Sequence, residues 1–212
     1  MRKTIILFIL FLGFGVSSLQ AADVNALLLR LETKMAGVNT LETDFTQEKR
    51  LAVFNQPIIL KGKIFIKKPE LFSWHVKEPL RYTLLIKGSL IKQWDEESNQ
   101  VQQFSLSGNP GFSMAVAQMK VWFSGAYVSL LKDYTAKIIS ETPIILEFAP
   151  MQSNPASGLI KTVTVFFEKE GRYLRKIIIE EKSGDSAILE FSSVKLNMPI
   201  DRSAWELKRD VR

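Results

Sequence analysis

The hydrophobic positions of this chain follow two periods, one helical and one extended. Near the start, apolar residues recur at helical spacing, at Val24, Leu27, Leu28, Leu31 and Met35. Asp23 precedes this run, where it can cap a helix, and Gly37 follows it. The pattern predicts an amphipathic helix whose single apolar stripe lies against another part of the protein.

Beyond Gly37 the period changes to two, which is typical of β-strands. The alternation is clearest from residue 58, where one face carries Ile58, Leu60, Gly62, Ile64 and Ile66. Lys68-Pro69 breaks this strand, because proline cannot donate to a strand ladder. On the strand that follows, one face carries Phe72, Trp74 and Val76.

Short strand patterns continue along the rest of the chain. They cover residues 41–48, 84–86, 90–94, 101–106, 135–139, 144–148, 159–167, 173–180 and 187–194. Asn109-Pro110-Gly111 interrupts the series, and residues 112–131 are predicted as two short helices broken near Ser124-Gly125. The predicted fold class is therefore α+β, with one antiparallel sheet of about ten strands and helices at its start and middle.

A sheet of that width curls, and the predicted helices are too few to cover both of its faces. Two arrangements fit the pattern. Helices over the concave face would enclose an apolar space, whereas a fully packed α+β core would leave none. Phe72 and Trp74 fit ordinary core packing at least as well as a binding site, so the pattern alone leaves both arrangements open.

The N-terminus has the pattern of a secretory signal peptide over residues 1–21. Arg2 and Lys3 precede an apolar run from Thr4 to Val16, and small residues follow. The alternative, an uncleaved membrane anchor, needs about 20 apolar residues, and this run is shorter. The mature domain is then 22–212. With cleavage after Ala21, Leu19 stands at a position where a small residue is usual, so the exact cleavage position is left open.

Charge and cysteine content favour a soluble exported protein. Residues 1–21 carry two basic and no acidic residues, so their removal lowers the formal net charge from +6 to +4. The chain has no cysteine, so neither a disulfide nor a lipid-modified cysteine can form. We therefore expect a soluble periplasmic protein. The lysines are dispersed without a recognition motif, so nucleic-acid binding is not expected.

The sequence offers little for catalysis. His75 is the only histidine, which excludes a His-based zinc site and restricts any serine triad to that residue. It lies opposite Phe72 and Trp74 on its strand and is expected at the surface or at an edge. Neither a Gly-x-Ser-x-Gly elbow nor a nucleotide-binding loop occurs. No enzyme activity, metal or cofactor is predicted.

Two motifs resemble the LolA family of lipoprotein carriers. The first is Phe45-Thr46-Gln47, and the second runs from Gly62 through Lys68-Pro69-Glu70-Leu71-Phe72-Ser73-Trp74-His75. The resemblance implies an incomplete, half-open antiparallel β-barrel with α-helices as a lid over an apolar cavity. It also implies a monomeric periplasmic chaperone that receives lipoproteins from an inner-membrane ABC exporter. Delivery would be to an outer-membrane receptor lipoprotein.

The resemblance also assigns candidate site residues. It places Phe72 and Trp74 at the cargo site and makes Lys68 the lid contact. With Ile64, Ile66 and Val76 from the apolar faces of the same two strands, the predicted cargo-binding set is Ile64, Ile66, Phe72, Trp74 and Val76. Lys68 stands where typical members have an arginine, and lysine lacks the planar fork of donors, so a looser contact is expected. The chain also ends soon after Trp205, earlier than typical members, which leaves the standard exporter and receptor open.

Three classes of function remain at this stage. The first is a carrier of lipoproteins or of another acylated envelope lipid. The second is a half-barrel that binds a protein partner, and the third is an enzyme of envelope lipid metabolism. The sequence does not identify the cargo.

Overall fold

The computed structural model describes residues 16–105 and 119–207. Most of the predicted signal peptide and the Asn109-Pro110-Gly111 interruption lie outside these ranges. Helix α1 spans Val16–Ala36. The strands are β1 Thr40–Arg50, β2 Ile58–Lys67, β3 Leu71–Glu78, β4 Tyr82–Lys87, β5 Leu90–Asp95, β6 Gln100–Ser105, β7 Tyr134–Glu141, β8 Ile144–Pro150, β9 Ile160–Phe167, β10 Leu174–Glu181 and β11 Ser186–Leu196.

The strands form one antiparallel sheet of eleven, in the order β6-β5-β4-β3-β2-β1-β11-β10-β9-β8-β7. It consists of two meanders, β1–β6 and β7–β11, joined where β1 pairs with β11, for example Phe45 with Phe191. Within the described residues, β6 and β7 have a strand on one side only, so the sheet is open. The predicted open antiparallel sheet is confirmed, with eleven strands where about ten were expected.

The sheet is strongly curved. In a flat sheet, the six strand spacings from β3 to β8 would separate these strands by roughly 29 Å. The neighbouring residues Trp122 and Phe123 nevertheless reach both strands. The ring of Trp122 lies 5.1 Å from Phe148 on β8, and that of Phe123 lies 6.1 Å from Phe72 on β3. Two adjacent side chains bridge that gap only if the face towards them is concave.

Helix α1 lies over this concave face. All five residues of its predicted apolar stripe are buried in the core, and the helix ends at Ala36, before Gly37, as predicted. The predicted cap at Asp23 is wrong, because α1 begins at Val16 and Asp23 is an exposed residue inside it. Residues 16–22 contain neither glycine nor proline, so the helix continues backwards through them.

A second helical segment also packs on the concave side. Residues 119–124 are helical, Gly125 forms a turn with φ +85°, and a 3-10 helix follows over Val128–Lys132. The predicted break near Ser124-Gly125 is confirmed, whereas residues 112–118 lie outside the described ranges. Together, α1 and residues 119–132 form the helical cover of the concave face.

The convex face is partly covered by the chain that follows β11. The 3-10 helix Arg202–Trp205 places the buried Ala204 over β3, where its carbonyl lies 2.9 Å from His75 Nε2. Ser73 Oγ is 2.7 Å from the same nitrogen, and the Phe65 ring packs edge-on at 5.3 Å. The predicted surface position of His75 is therefore wrong, since only 8% of it is exposed. The residues after β11 fold back over it.

Candidate functional site

The five predicted cargo-binding residues form one patch on the concave face. β2 and β3 pair so that Ile64 faces Trp74, Ile66 faces Phe72, and Gly62 faces Val76. Because alternate residues of neighbouring strands point to the same side, the five side chains are contiguous. All are buried, with Phe72 5% and Trp74 3% exposed.

Aromatic rings extend this patch beyond the predicted residues. Phe45 on β1 lies 4.6 Å from the ring of Trp74, and Phe72 on β3 lies 6.3 Å from the same ring. From the cover, Phe123 contacts Phe72 at 6.1 Å and Phe191 on β11 at 5.4 Å. The inner patch is defined as the five predicted residues together with Phe45, Phe123 and Phe191.

Gly62 permits the close packing of the inner patch. A Cβ atom at this position would lie 1.8 Å from the carbonyl oxygen of His75 and 2.9 Å from the ring of Phe45. Any other residue would push β3 or Phe45 away. The glycine that opens the second sequence motif thus sets the distance between Phe45 and Trp74.

Sequence reasoning missed three members of the inner patch. Phe45 lies on the buried face of β1, so the alternation of that strand together with its Phe-Thr-Gln motif could have indicated it. Phe123 and Phe191 carry no comparable local signal. They reach the patch only through the curvature of the sheet and the pairing of its first and last strands.

One polar atom of the inner patch is unusual. The indole N–H of Trp74 is buried and has no hydrogen-bond acceptor among the residues that the structure describes. The indole of Trp94 on β5, also buried, donates to Asn99 Oδ1 at 3.1 Å. Buried donors are nearly always paired, so Trp74 departs from the rule.

Lys68 fastens the helical cover to the sheet. Its Nζ donates to the backbone carbonyl of Met35 at 2.9 Å, in the last turn of α1. Carbonyls at this end of a helix have no intrahelical partner and attract cations. Partial burial lowers the pKa of Lys68 below its ordinary value. The resemblance predicted a lid contact for this residue, and the structure places it against α1.

Gly125 completes the junction at Lys68. A Cβ at Gly125 would lie 2.6 Å from the Met35 Cβ and 3.8 Å from Lys68 Nζ. Its φ of +85° also lies in the region that favours glycine. The Lys68 junction, formed by Met35, Lys68 and Gly125, is where both helical segments and the sheet meet.

Further polar contacts hold the two parts of the cover together. The Val128 amide donates to Glu32 Oε1 at 2.8 Å, which links the second segment to α1. Lys120 donates to the Gly88 carbonyl at 2.6 Å, at the β4–β5 turn. Burial, and secondarily the charge of Glu32, raises the pKa of Tyr127. On α1, Lys34 also donates to the Glu170 carbonyl in the β9–β10 turn. The cover is therefore one packed unit that lysine contacts attach to the sheet and its turns.

The arrangement matches known proteins in both sequence and fold. A family model described as "Outer membrane lipoprotein carrier protein LolA" matches residues 36–208. The chain belongs to the LolA family. It is similar to an outer-membrane lipoprotein carrier protein of Coxiella burnetii, with 22% identity over 198 residues, covering 92% of this chain and 88% of that protein.

Solved structures share the fold at low identity. An uncharacterized conserved protein from Thermus thermophilus matches with a TM-score of 0.56 at 11% identity, covering 90% of this chain and 96% of that one. MucB in the Pseudomonas aeruginosa MucA/MucB complex matches at 0.53 and 10% identity, covering 87% of this chain and 60% of that one. These likenesses show that the chain shares the fold of these two proteins.

Two further observations concern the site's chemistry and the helices. Across residues 16–105 and 119–207, no three His, Cys, Asp or Glu side chains are grouped so as to hold a metal ion. In the same part of the chain, no helix is both long and apolar enough to cross a membrane.

Proposed function

We propose that this LolA-family protein is a periplasmic chaperone that shields the acyl chains of lipoproteins and carries them from the inner to the outer membrane. Residues 1–21 would direct its export. An ABC exporter of the inner membrane would load it, and a receptor lipoprotein of the outer membrane would unload it. It would act by binding, without catalysis. The family model and the carrier relatives support this assignment.

The observation that carries the proposal is the inner patch beneath a separable cover. Every strand ladder lies within the sheet, so the cover can move without breaking a strand pairing. Its polar attachments to the strands include the contacts of Lys68 and Lys120 with backbone carbonyls. Moving the cover would expose a continuous apolar face that an acyl chain can occupy.

The energetics of such a site suit a reversible carrier. Burying a methylene gains about 0.8 kcal/mol, so shielding ten methylenes would gain roughly 8 kcal/mol, which corresponds to micromolar affinity. Much tighter binding would hinder release. Since the chain has no recognisable nucleotide-binding loop, energy for loading would come from the exporter.

A fluorescent acyl probe tests the carrier function. The mature protein should bind the probe saturably at micromolar concentration, and lipoprotein or fatty acid should displace it. Cell fractionation should find a processed, soluble periplasmic form. Absence of saturable binding would contradict the carrier, and full-length protein in membranes after salt and alkali washes would contradict the export.

A second candidate is a half-barrel that binds a protein partner. It is favoured by the fold likeness to MucB, which was solved in a complex with MucA. On this alternative the inner patch is a permanent core, and the acyl probe does not bind. A third candidate is a LolA-like carrier of another envelope lipid. In that case the probe should bind, but lipoprotein should not displace it.

A further inference from the structure

The indole N–H of Trp74 sits in a setting that offers it no acceptor. Its ring has Phe45 at 4.6 Å and Phe72 at 6.3 Å as neighbours, and Ile64 faces it across the β2–β3 pairing. These side chains carry no oxygen or nitrogen. Among the described residues the donor is buried and unpaired. Leaving such a donor unpaired destabilises a protein, so the position of this N–H in the inner patch needs an explanation.

The unpaired donor indicates what a ligand of the inner patch must contain. A bare hydrocarbon chain would fill the patch and still leave the N–H without a partner. A ligand with an oxygen acceptor at this depth would remove the cost. An indole N–H can only donate, and a carbonyl oxygen is a strong acceptor, whereas an ether oxygen is a weak one.

We propose that Trp74 Nε1 donates a hydrogen bond to the carbonyl oxygen at the head of a cargo acyl chain. The inner patch then recognises acyl esters or amides in preference to alkyl chains of equal length. This inference rests on the proposed carrier function. Ester-linked glycerol chains and amide-linked chains share the carbonyl, so both satisfy the donor.

Matched glycerolipids test the inference on the full mature chain. Dioctanoyl glycerol and dioctyl glycerol ether have equal chain lengths, and only the first has carbonyls. The wild-type protein should bind the ester about tenfold more tightly, as one recovered hydrogen bond allows. Trp74→Phe keeps an aromatic ring without the donor, so it should bind both lipids with the affinity that the wild type has for the ether.

A matched control is available in Trp94→Phe. That indole is also buried, but its donor is already used by Asn99, so the variant should keep the tenfold preference for the ester. In proton NMR, the indole N–H signal that Trp74→Phe removes should shift downfield when the ester binds and stay in place with the ether. An octanoyl amide then shows whether amide-linked chains are bound as well as ester-linked ones.

The outcomes distinguish the carbonyl preference from the carrier function. Loss of the ester preference in Trp74→Phe alone supports the inference. Equal binding of ester and ether by the wild type, or an unchanged preference in Trp74→Phe, overturns it and leaves the carrier function intact. Failure of the wild type to bind either lipid overturns the carrier function itself.

Discussion

Removing the Lys68 contact should make the protein bind acyl chains more tightly. Lys68 Nζ donates to the Met35 carbonyl at 2.9 Å, a contact between the sheet and the closed cover. A hydrogen bond with a charged donor contributes about 1.5–3 kcal/mol. Because Lys68 is partly exposed and the Met35 carbonyl also accepts from the Val38 amide, the lower value applies. A loss of about 1.5 kcal/mol shifts the closed-to-open ratio roughly tenfold towards the open form.

Apparent affinity rises as the binding-competent fraction rises. In Lys68→Met the dissociation constant for an acyl probe, measured by fluorescence titration, should therefore fall by up to about tenfold while the open form remains the minor one. Lys68→Arg offers more donors to the helix end and should bind the probe more weakly than the wild type. Lys67→Met is the matched control, since Lys67 is exposed at the adjacent position. Unchanged or weaker binding by Lys68→Met would show that the Lys68 contact does not hold the cover closed.

Three other perturbations have defined outcomes. Phe72→Glu buries an unpaired carboxylate, so the free energy of unfolding should fall by about 3 kcal/mol or more and binding of the acyl probe should be lost. Phe72→Leu should still bind the probe, and normal cargo transfer by Phe72→Glu would exclude Phe72 from the site. Gly125→Ala should lower the free energy of unfolding in urea by about 1–3 kcal/mol more than Gly184→Ala does. Both glycines have a positive φ, but only at Gly125 would the added Cβ clash with a neighbouring side chain, so equal losses would contradict this. Burial raises the pKa of Glu42, but lysine hydrogen bonds outweigh it and lower the pKa below 4.5. The stability that the ionised Glu42 contributes is present above that value and is lost as pH falls through the lowered pKa. The free energy of unfolding of Lys63→Met should therefore fall less than that of the wild type between pH near 7 and pH near 3.

The strands and the apolar faces of β2 and β3 could be predicted locally, because alternation and strand-breaking residues are properties of neighbouring positions. The period alone puts Ile64 on the apolar face of its strand and Trp74 on the apolar face of the next, and local composition predicts the break near Gly125. The wrong prediction for His75 depended on residues far along the chain. His75 was assigned to the surface because its strand position gave no sign that residues near Ala204 return to cover it.

The same limit applies to the cover. The resemblance indicates a lid contact for Lys68, but its acceptor is the Met35 carbonyl at the end of α1. The sequence pattern predicts this helix without giving its orientation on the sheet. Phe191 reaches the patch because β11 pairs with β1, across most of the chain. This pairing joins the two meanders side by side, which no local period encodes.

Phe123 links the closed structure to the strength of binding. Its ring fills the space between Phe72 and Phe191 on the concave face. On the proposed function, an acyl chain reaches the inner patch only by replacing this ring and the Lys68 contact. The binding free energy is then the difference between two apolar contacts, one with cargo and one with the cover. A difference of this kind stays moderate even when each contact is large, so cargo can be held in water and still be released without a nucleotide.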